Sequence, residues 1–525
     1  MLNARHNLRY TQVKHTELDS NMRSLRSSII VLSSLASGTV LAQDVTLRVL
    51  IPNSSDIRAV NMPSLHRGVH TGYGARTSDG AEVIFAGRLS DPVGTPLTVI
   101  AASGDTVPNR LDRTFRHLRV PTIWNEIVYF SGNGVSTPNP ADGLYRGTLD
   151  GAPLDVHSDF FNRLGPWIEA PFAGAEGIAF VNPGVTAGSG AGISLYTHDA
   201  RWIPVATYFQ PMPDASFVQY TGNSTVGIGG GTIAYSARCT FIGGNAGYGV
   251  YTYSIASGQT RAVANWTTPI PGDGRAMEFV STVDTDGLQV VFVAAAGSIP
   301  FGGTAAVCVA NTDGTSLRSL TRFGEPVPGV PGKTFRNFGR VAVDGDIVYF
   351  QGSYIEGSSE RMALFANVDG ANIPVILYNQ PIDGAPSITP WFDPRGVDGR
   401  DAVVLCEYVT SDNPFLQKYM LVHARIGSAC PADFDSDGTL DFFDYDAFVN
   451  CFEGLACPPG PLPSPPTLTP TAPSTSSTTT PSWSPSKPGA ERDLRSSPSR
   501  TTLARKSAPH APIVHASVFA FWSES

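Results

Sequence analysis

Thr114-Phe115-Arg116-His117 is followed by Ile127-Val128-Tyr129-Phe130, and the pair of segments returns 220 residues later as Thr334-Phe335-Arg336-Asn337 and Ile347-Val348-Tyr349-Phe350. The segment running Gly104-Asp105-Thr106-Val107-Pro108 returns at the same distance as Gly324-Glu325-Pro326-Val327-Pro328. Four repeats of about 55 residues produce that interval, and periods of this size belong to propellers, solenoids and arrays.

One apolar strand pattern recurs from residue 45 to about 428. Its copies are Glu82–Gly87, Glu126–Gly132, Gly177–Val181, Thr232–Ser236, Gln289–Val293, Asp346–Gly352 and Asp401–Leu405, at intervals of about 45 to 58 residues. A further strand follows in each unit, as at Gly143–Tyr145, Tyr248–Tyr251 or Ala363–Phe365. Then comes a turn such as Asp150-Gly151, Asp313-Gly314 or Asp369-Gly370, and another strand such as Ile373–Tyr378. Asp-Gly supplies the positive φ angles that tight hairpins need. Antiparallel strands in threes and fours, with no helical period between them, describe propeller blades. The sequence therefore predicts an all-β protein with a β-propeller over 43–428. Six to eight blades fit, seven best, and a β-solenoid is the competing fold. Val45–Leu50 is placed to complete the last blade and clasp the ring. The domain resembles secreted bacterial β-propeller repeat proteins.

Composition agrees with turns and sheets. Of 525 residues, 53 are Gly and 42 Pro, while only 15% are charged. A formal charge of −9 argues against nucleic acid, whose phosphates need a basic surface. Met22–Arg26 reads as a basic start, Ile29–Ala36 as a short apolar core and Val40–Ala42 as a cleavage site. These features predict an export signal over Met22–Ala42, with 1–21 a spurious leader, and a secreted protein without a membrane span.

Asp433-Phe434-Asp435-Ser436-Asp437-Gly438-Thr439-Leu440-Asp441-Phe442-Phe443-Asp444 is a loop of oxygen donors. Calcium takes six to eight oxygens, and the twelve-residue loop supplies them from fixed positions. Here Asp433, Asp435, Asp437, Asp441 and Asp444 bring carboxylates, Thr439 brings a backbone carbonyl and Gly438 permits the turn. Phe442–Phe452 continues at helical spacing. This segment resembles a type I dockerin repeat, a variant EF-hand, over a module at 430–457. The resemblance implies bound Ca2+ and a cohesin-like or cell-surface protein partner. A dockerin has two such repeats, and only one is readable.

The Pro/Ser/Thr-rich stretch from Pro466 to Trp483 has a composition expected of a disordered tail over 458–525. Shifted by one base, its order of Thr, Ser and Pro decodes as Ala432–Val449 over again, so the tail is read as a frameshifted second calcium repeat.

No catalytic residue can be named. The sequence has no metalloprotease helix, nucleophile elbow, phosphate loop or dinucleotide fingerprint in its setting. His66, His70, His117 and His157 read as surface or blade-edge residues, and Trp124, Trp167, Trp202, Trp266 and Trp391 as packing between blades. Cys239, Cys308 and Cys406 read as small buried hydrophobes. Cys430, Cys451 and Cys457 bracket the loop, with no pairing determined. The reading favours a non-catalytic binding or structural protein. The alternative is a polysaccharide-degrading hydrolase or lyase carrying the dockerin-like segment as an attachment tag.

Overall fold

In a computed structural model the chain divides into two units, 1–431 and 432–525. The described residues are 45–427, apart from 52–56, 60–62, 135–141, 160–168, 183–191, 208, 215–216, 221–224, 241–245, 298–302, 383–387 and 411–412. The calcium loop at 433–444, the export signal and the tail lie outside them.

Seven antiparallel sheets follow one another as the blades of a β-propeller. Blade 1 has strands Ile57–Ala59, Val69–Arg76, Glu82–Arg88 and Thr98–Ala102, with Ser64–His66 beside the second. Blades 2 to 6 span 106–159, 169–207, 217–265, 279–322 and 335–376. Blade 7 takes Ile388–Trp391, Asp401–Thr410 and Asn413–Ile426 from the last of the described residues and Val45–Ile51 from the first of them. Val45 pairs with Ile426 and Val49 with Val422, so the predicted clasp closes the ring. Closure removes an edge that would otherwise invite pairing with another chain.

The core is divided in the same way. Seven apolar clusters each fill one junction between successive blades, from Phe85 against Leu405 round to Tyr349 against Val404. A blade therefore buries both faces. That is why Ile347–Ser353 is buried at every position and reads as a continuous apolar run without alternation.

The 220-residue echo is three-dimensional. Phe115 and Phe335 stand on the first strands of blades 2 and 6, fully buried. Phe115 meets Tyr145 edge-on at 4.8 Å and 87°, and Phe335 meets Phe365 at 5.1 Å and 81°. Each ring lies over a glycine of the second strand, where a Cβ would fall 2.9 Å from Phe115 at Gly132 and 2.7 Å from Phe335 at Gly352. Gly104 N–H donates to Phe115 O and Gly324 N–H to Phe335 O, at 2.8 and 2.9 Å.

One repeat assignment is corrected. The pattern copies at Glu126, Gly177, Thr232, Gln289, Asp346 and Asp401 fall on second strands, but Glu82–Gly87 belongs to the third strand of blade 1. Its second strand is Val69–Arg76, whose His70, Gly72 and Gly74 disguise it. Gly72 is required there, since a Cβ would meet Phe85 at 2.6 Å.

Candidate functional site

A propeller concentrates its unusual chemistry at the ring centre, where the first strands converge. Asp393 opens a short 3-10 turn, Pro394–Gly396, in blade 7, with its side chain accepting from Arg395 N–H at 3.1 Å. Proline at the start suits the turn because its missing N–H has no role there. The turn delivers Arg395 inward. Its Nε and Nη2 donate to Asp393 Oδ1 and Oδ2 at 2.6 and 2.9 Å, a two-pronged pair. Arg340 of blade 6 donates to the same carboxylate. Arg395 Nη1 lies 3.5 Å from Pro171 O, and its guanidinium carbon 5.8 Å from the Phe172 ring. Pro171 and Phe172 belong to blade 3, so this side chain bridges the ring from one side to the other.

The side chains of Arg395 and Asp393 are only 4% and 2% exposed. Burial alone would raise the Asp393 pKa. The charge of Arg395, its hydrogen bonds and the charge of Arg340 outweigh that and hold it at about 2. The pair is thus ionised and shut away from water.

Other centre-facing groups lock blade to blade. Ile123 N–H donates to Ser64 Oγ, Ala173 N–H to Thr122 Oγ1 and Val283 N–H to Thr225 Oγ1, at 3.2, 3.1 and 2.7 Å. Val343 N–H donates to Asp284 Oδ2, Gly399 N–H to Asp344 Oδ2 and Gly68 N–H to Asp398 Oδ2, at 3.0, 2.6 and 3.2 Å. Each bond crosses a junction, and the last closes blade 7 onto blade 1. Burial raises the pKa of Asp284 well above its ordinary value and raises that of Asp344 as well. Raised carboxyls are raw material for general acid chemistry. Asp284, however, is 5% exposed, and its Oδ1 lies 2.2 Å from where a Gly227 side chain would begin. It is walled in on both sides.

The sequence-derived candidates distribute as follows. Asp433, Asp435, Asp437, Thr439, Asp441 and Asp444 lie outside the described residues. Among the described residues no group of three or more His, Cys, Asp or Glu could hold a metal ion. Trp124, Trp202, Trp266 and Trp391 pack against junction clusters as expected, and Trp167 is outside the described residues. Cys239, Cys308 and Cys406 are buried and form no disulfide among the described residues. Two histidines are corrected: His70 and His157 are 2% and 5% exposed, inside junctions rather than at blade edges. Both sit on strands whose inward side is determined by the neighbouring blade, which sequence alone does not reveal. Arg395 and Asp393 escaped notice altogether. Their one signal is Asp393-Pro394-Arg395-Gly396 itself, a turn motif interrupting the strand pattern.

No protein-family model matches the chain, and no curated protein matches it. Among solved structures it is similar to the β-propeller domain of the Trilobed protease from Pyrococcus furiosus, described with an open velcro topology. Identity is 11% over 70% of this chain and 95% of that one, with a TM-score of 0.45. It is also similar to the acylaminoacyl peptidase of Pyrococcus horikoshii, at 10% identity, covering 70% and 51% with a TM-score of 0.42. The chain spans about half the length of that peptidase. A polysaccharide lyase, Uly1, is similar at 9% identity over 70% and 90%, with a TM-score of 0.39.

Proposed function

We propose that the protein is a secreted, calcium-binding propeller that acts by binding, with its dockerin-like segment holding it to a cohesin-like or cell-surface partner. The observation carrying this reading is the use made of the ring-centre carboxylates. Asp393 is neutralised by two arginines, and Asp284, Asp344 and Asp398 each accept a backbone N–H from the next blade. They serve as ties between blades. In the C-terminal segment, Asp433, Asp435, Asp437, Asp441 and Asp444 would hold calcium with the Thr439 carbonyl, a donor set of the hard-oxygen kind that calcium prefers.

The deciding experiment measures reducing ends released from a panel of extracellular polysaccharides by the full chain, with calcium and with chelator. Calcium titration calorimetry accompanies it on the natural protein and on Asp435→Ala/Asp437→Ala. Calcium uptake lost in the variant, without sugar release, is the expected result. Release of reducing ends would replace this reading with the polysaccharide-degrading one. No calcium uptake by the natural protein would remove the loop from it.

A further inference from the structure

The junction between blades 7 and 1 differs from the other six in lying beside the clasp strand Val45–Ile51, which completes blade 7. There a cavity of about 550 Å³ opens. Its walls come from Thr46–Arg48 of the clasp strand, from Arg67-Gly68 and Arg88–Ser90 of blade 1, and from Asp401, His423 and Arg425 of blade 7. Four arginines thus line one cavity against a single acid, Asp401, in a chain that carries more acidic than basic residues.

That acid is already taken. Asp401 Oδ1 lies 2.7 Å from His423 Nε2 and 3.9 Å from Arg425 Nε. Arg48 donates to the carbonyls of Leu89 and Asp91, fastening the clasp strand to the loop beyond Arg88. Arg88 turns to Glu126 of blade 2 at 2.7 Å. Arg67 sits in a turn at φ 49 and makes no hydrogen bond or ion pair among the described residues. The lining therefore carries more positive than negative side chains, with Glu126 and Asp91 facing Arg88 from outside it.

A buried histidine lies beside the cavity without lining it. His70 is 2% exposed, and neither ring nitrogen has a hydrogen-bond partner. Its charged neighbours are Asp91, His423 and Arg48, the last two being cavity-lining residues. Buried polar atoms without partners are rare and unfavourable.

We infer that this cavity is a binding site for a small oxyanion-bearing ligand (a carboxylate, sulfate or phosphate) and that occupancy tightens the closure of the ring. Guanidinium groups present flat forks of donors that match such anions. Because the walls come from the clasp strand and from both flanking blades, one bound anion ties together segments far apart in sequence. The cavity shares no lining residue with the calcium loop or with the Arg395–Asp393 pair.

Isothermal titration of the full chain at constant ionic strength tests this, with inorganic sulfate, inorganic phosphate and glucuronate as probes and chloride as the reference. At least one probe is expected to bind where chloride does not, with affinity falling about tenfold or more in Arg67→Gln and in Arg425→Gln. Response to glucuronate alone identifies a sugar carboxylate; response to sulfate or phosphate identifies the inorganic type of anion. Hydrogen exchange of the natural protein, which needs no variant, is expected to slow at Val45–Ile51 when the binding probe is added. Absence of binding beyond chloride, unchanged affinity in both variants, or protection confined to other blades overturns the inference. Sugar release and calcium uptake do not enter this measurement, so its failure leaves the proposed function standing.

Discussion

Arg395 and Asp393 face each other through two hydrogen bonds, at 2.6 and 2.9 Å, in the middle of a ring of seven sheets. An apolar residue in place of Asp393 would strand Arg395, and one in place of Arg395 would leave the buried Asp393 carboxylate with Arg340 alone. Removing one partner of a buried ion pair costs about 3–5 kcal/mol, whereas replacing the whole pair with apolar residues is often neutral. Arg395→Met is therefore expected to destabilise the protein by about 3–5 kcal/mol in urea denaturation. Arg395→Met combined with Asp393→Leu is expected to recover part of that loss. A single variant as stable as the natural protein would mean that the pair contributes nothing to holding blade 7 against blades 3 and 6.

Acid should weaken the propeller in a defined window. Burial lowers His70 and His157 from the ordinary 6.5 to about 4. Between those limits the unfolded chain takes up protons that the folded chain refuses, so stability is full above pH 6.5 and declines as pH falls toward 4. For His70 the loss approaches about 3 kcal/mol, at 1.36 kcal/mol for each tenfold change in proton affinity. Stability measured by urea denaturation from pH 7 to pH 4 is expected to fall, and to fall less steeply in His70→Leu. Equal slopes in the two proteins would contradict the burial of a neutral His70.

Gly132 and Gly352 are required by aromatic rings. In Gly352→Ala the new methyl would stand 2.7 Å from Phe335, which must shift within a filled core. Overpacking of this kind costs about 1–3 kcal/mol. Thermal melting is expected to show that loss for Gly352→Ala and for Gly132→Ala, and partial recovery when Gly352→Ala is combined with Phe335→Leu. At Gly357, by contrast, nothing lies within 4 Å of the added methyl, and only its φ of 62° opposes a substitution. Gly357→Ala is expected to cost about 1 kcal/mol, from backbone strain alone.

Deleting Val45–Ile51 leaves Asn413–Ile426 as the uncovered edge of blade 7. Long unprotected edges pair with other chains. Light scattering is expected to report association of the truncated protein at concentrations where the natural one stays dispersed. A monodisperse truncated protein would show that Val45–Ile51 is dispensable as an edge cover.

The legible parts of the fold were those written in repetition. The 220-residue echo gave the repeat length, the apolar runs gave six second strands, and the lone strand at Val45 gave the clasp. Blade 1 slipped by a strand because Val69–Arg76 trades bulky side chains for His70, Gly72 and Gly74, and Gly72 makes room for Phe85, a neighbour that sequence cannot place. The ring centre was illegible for a related reason. Arg395 and Asp393 look like a solvent-exposed turn by composition. Only the arrival of Pro171 and Phe172 from blade 3 makes them interior. The seam cavity was hidden too, because Arg48, Arg67, Arg88 and Arg425 are collected from distant stretches of sequence.

The pairing of Val45 with Ile426 also sets an order of events during synthesis. The earliest of the described strands to be made is the last to find its place, since its partner Asn413–Ile426 is made more than 350 residues later. Six blades can form from contiguous chain as they emerge, each against its predecessor. Until the seventh arrives, Val45–Ile51 has no native pairing to make, and the ring stays open at the very seam where the arginine-lined cavity will be assembled.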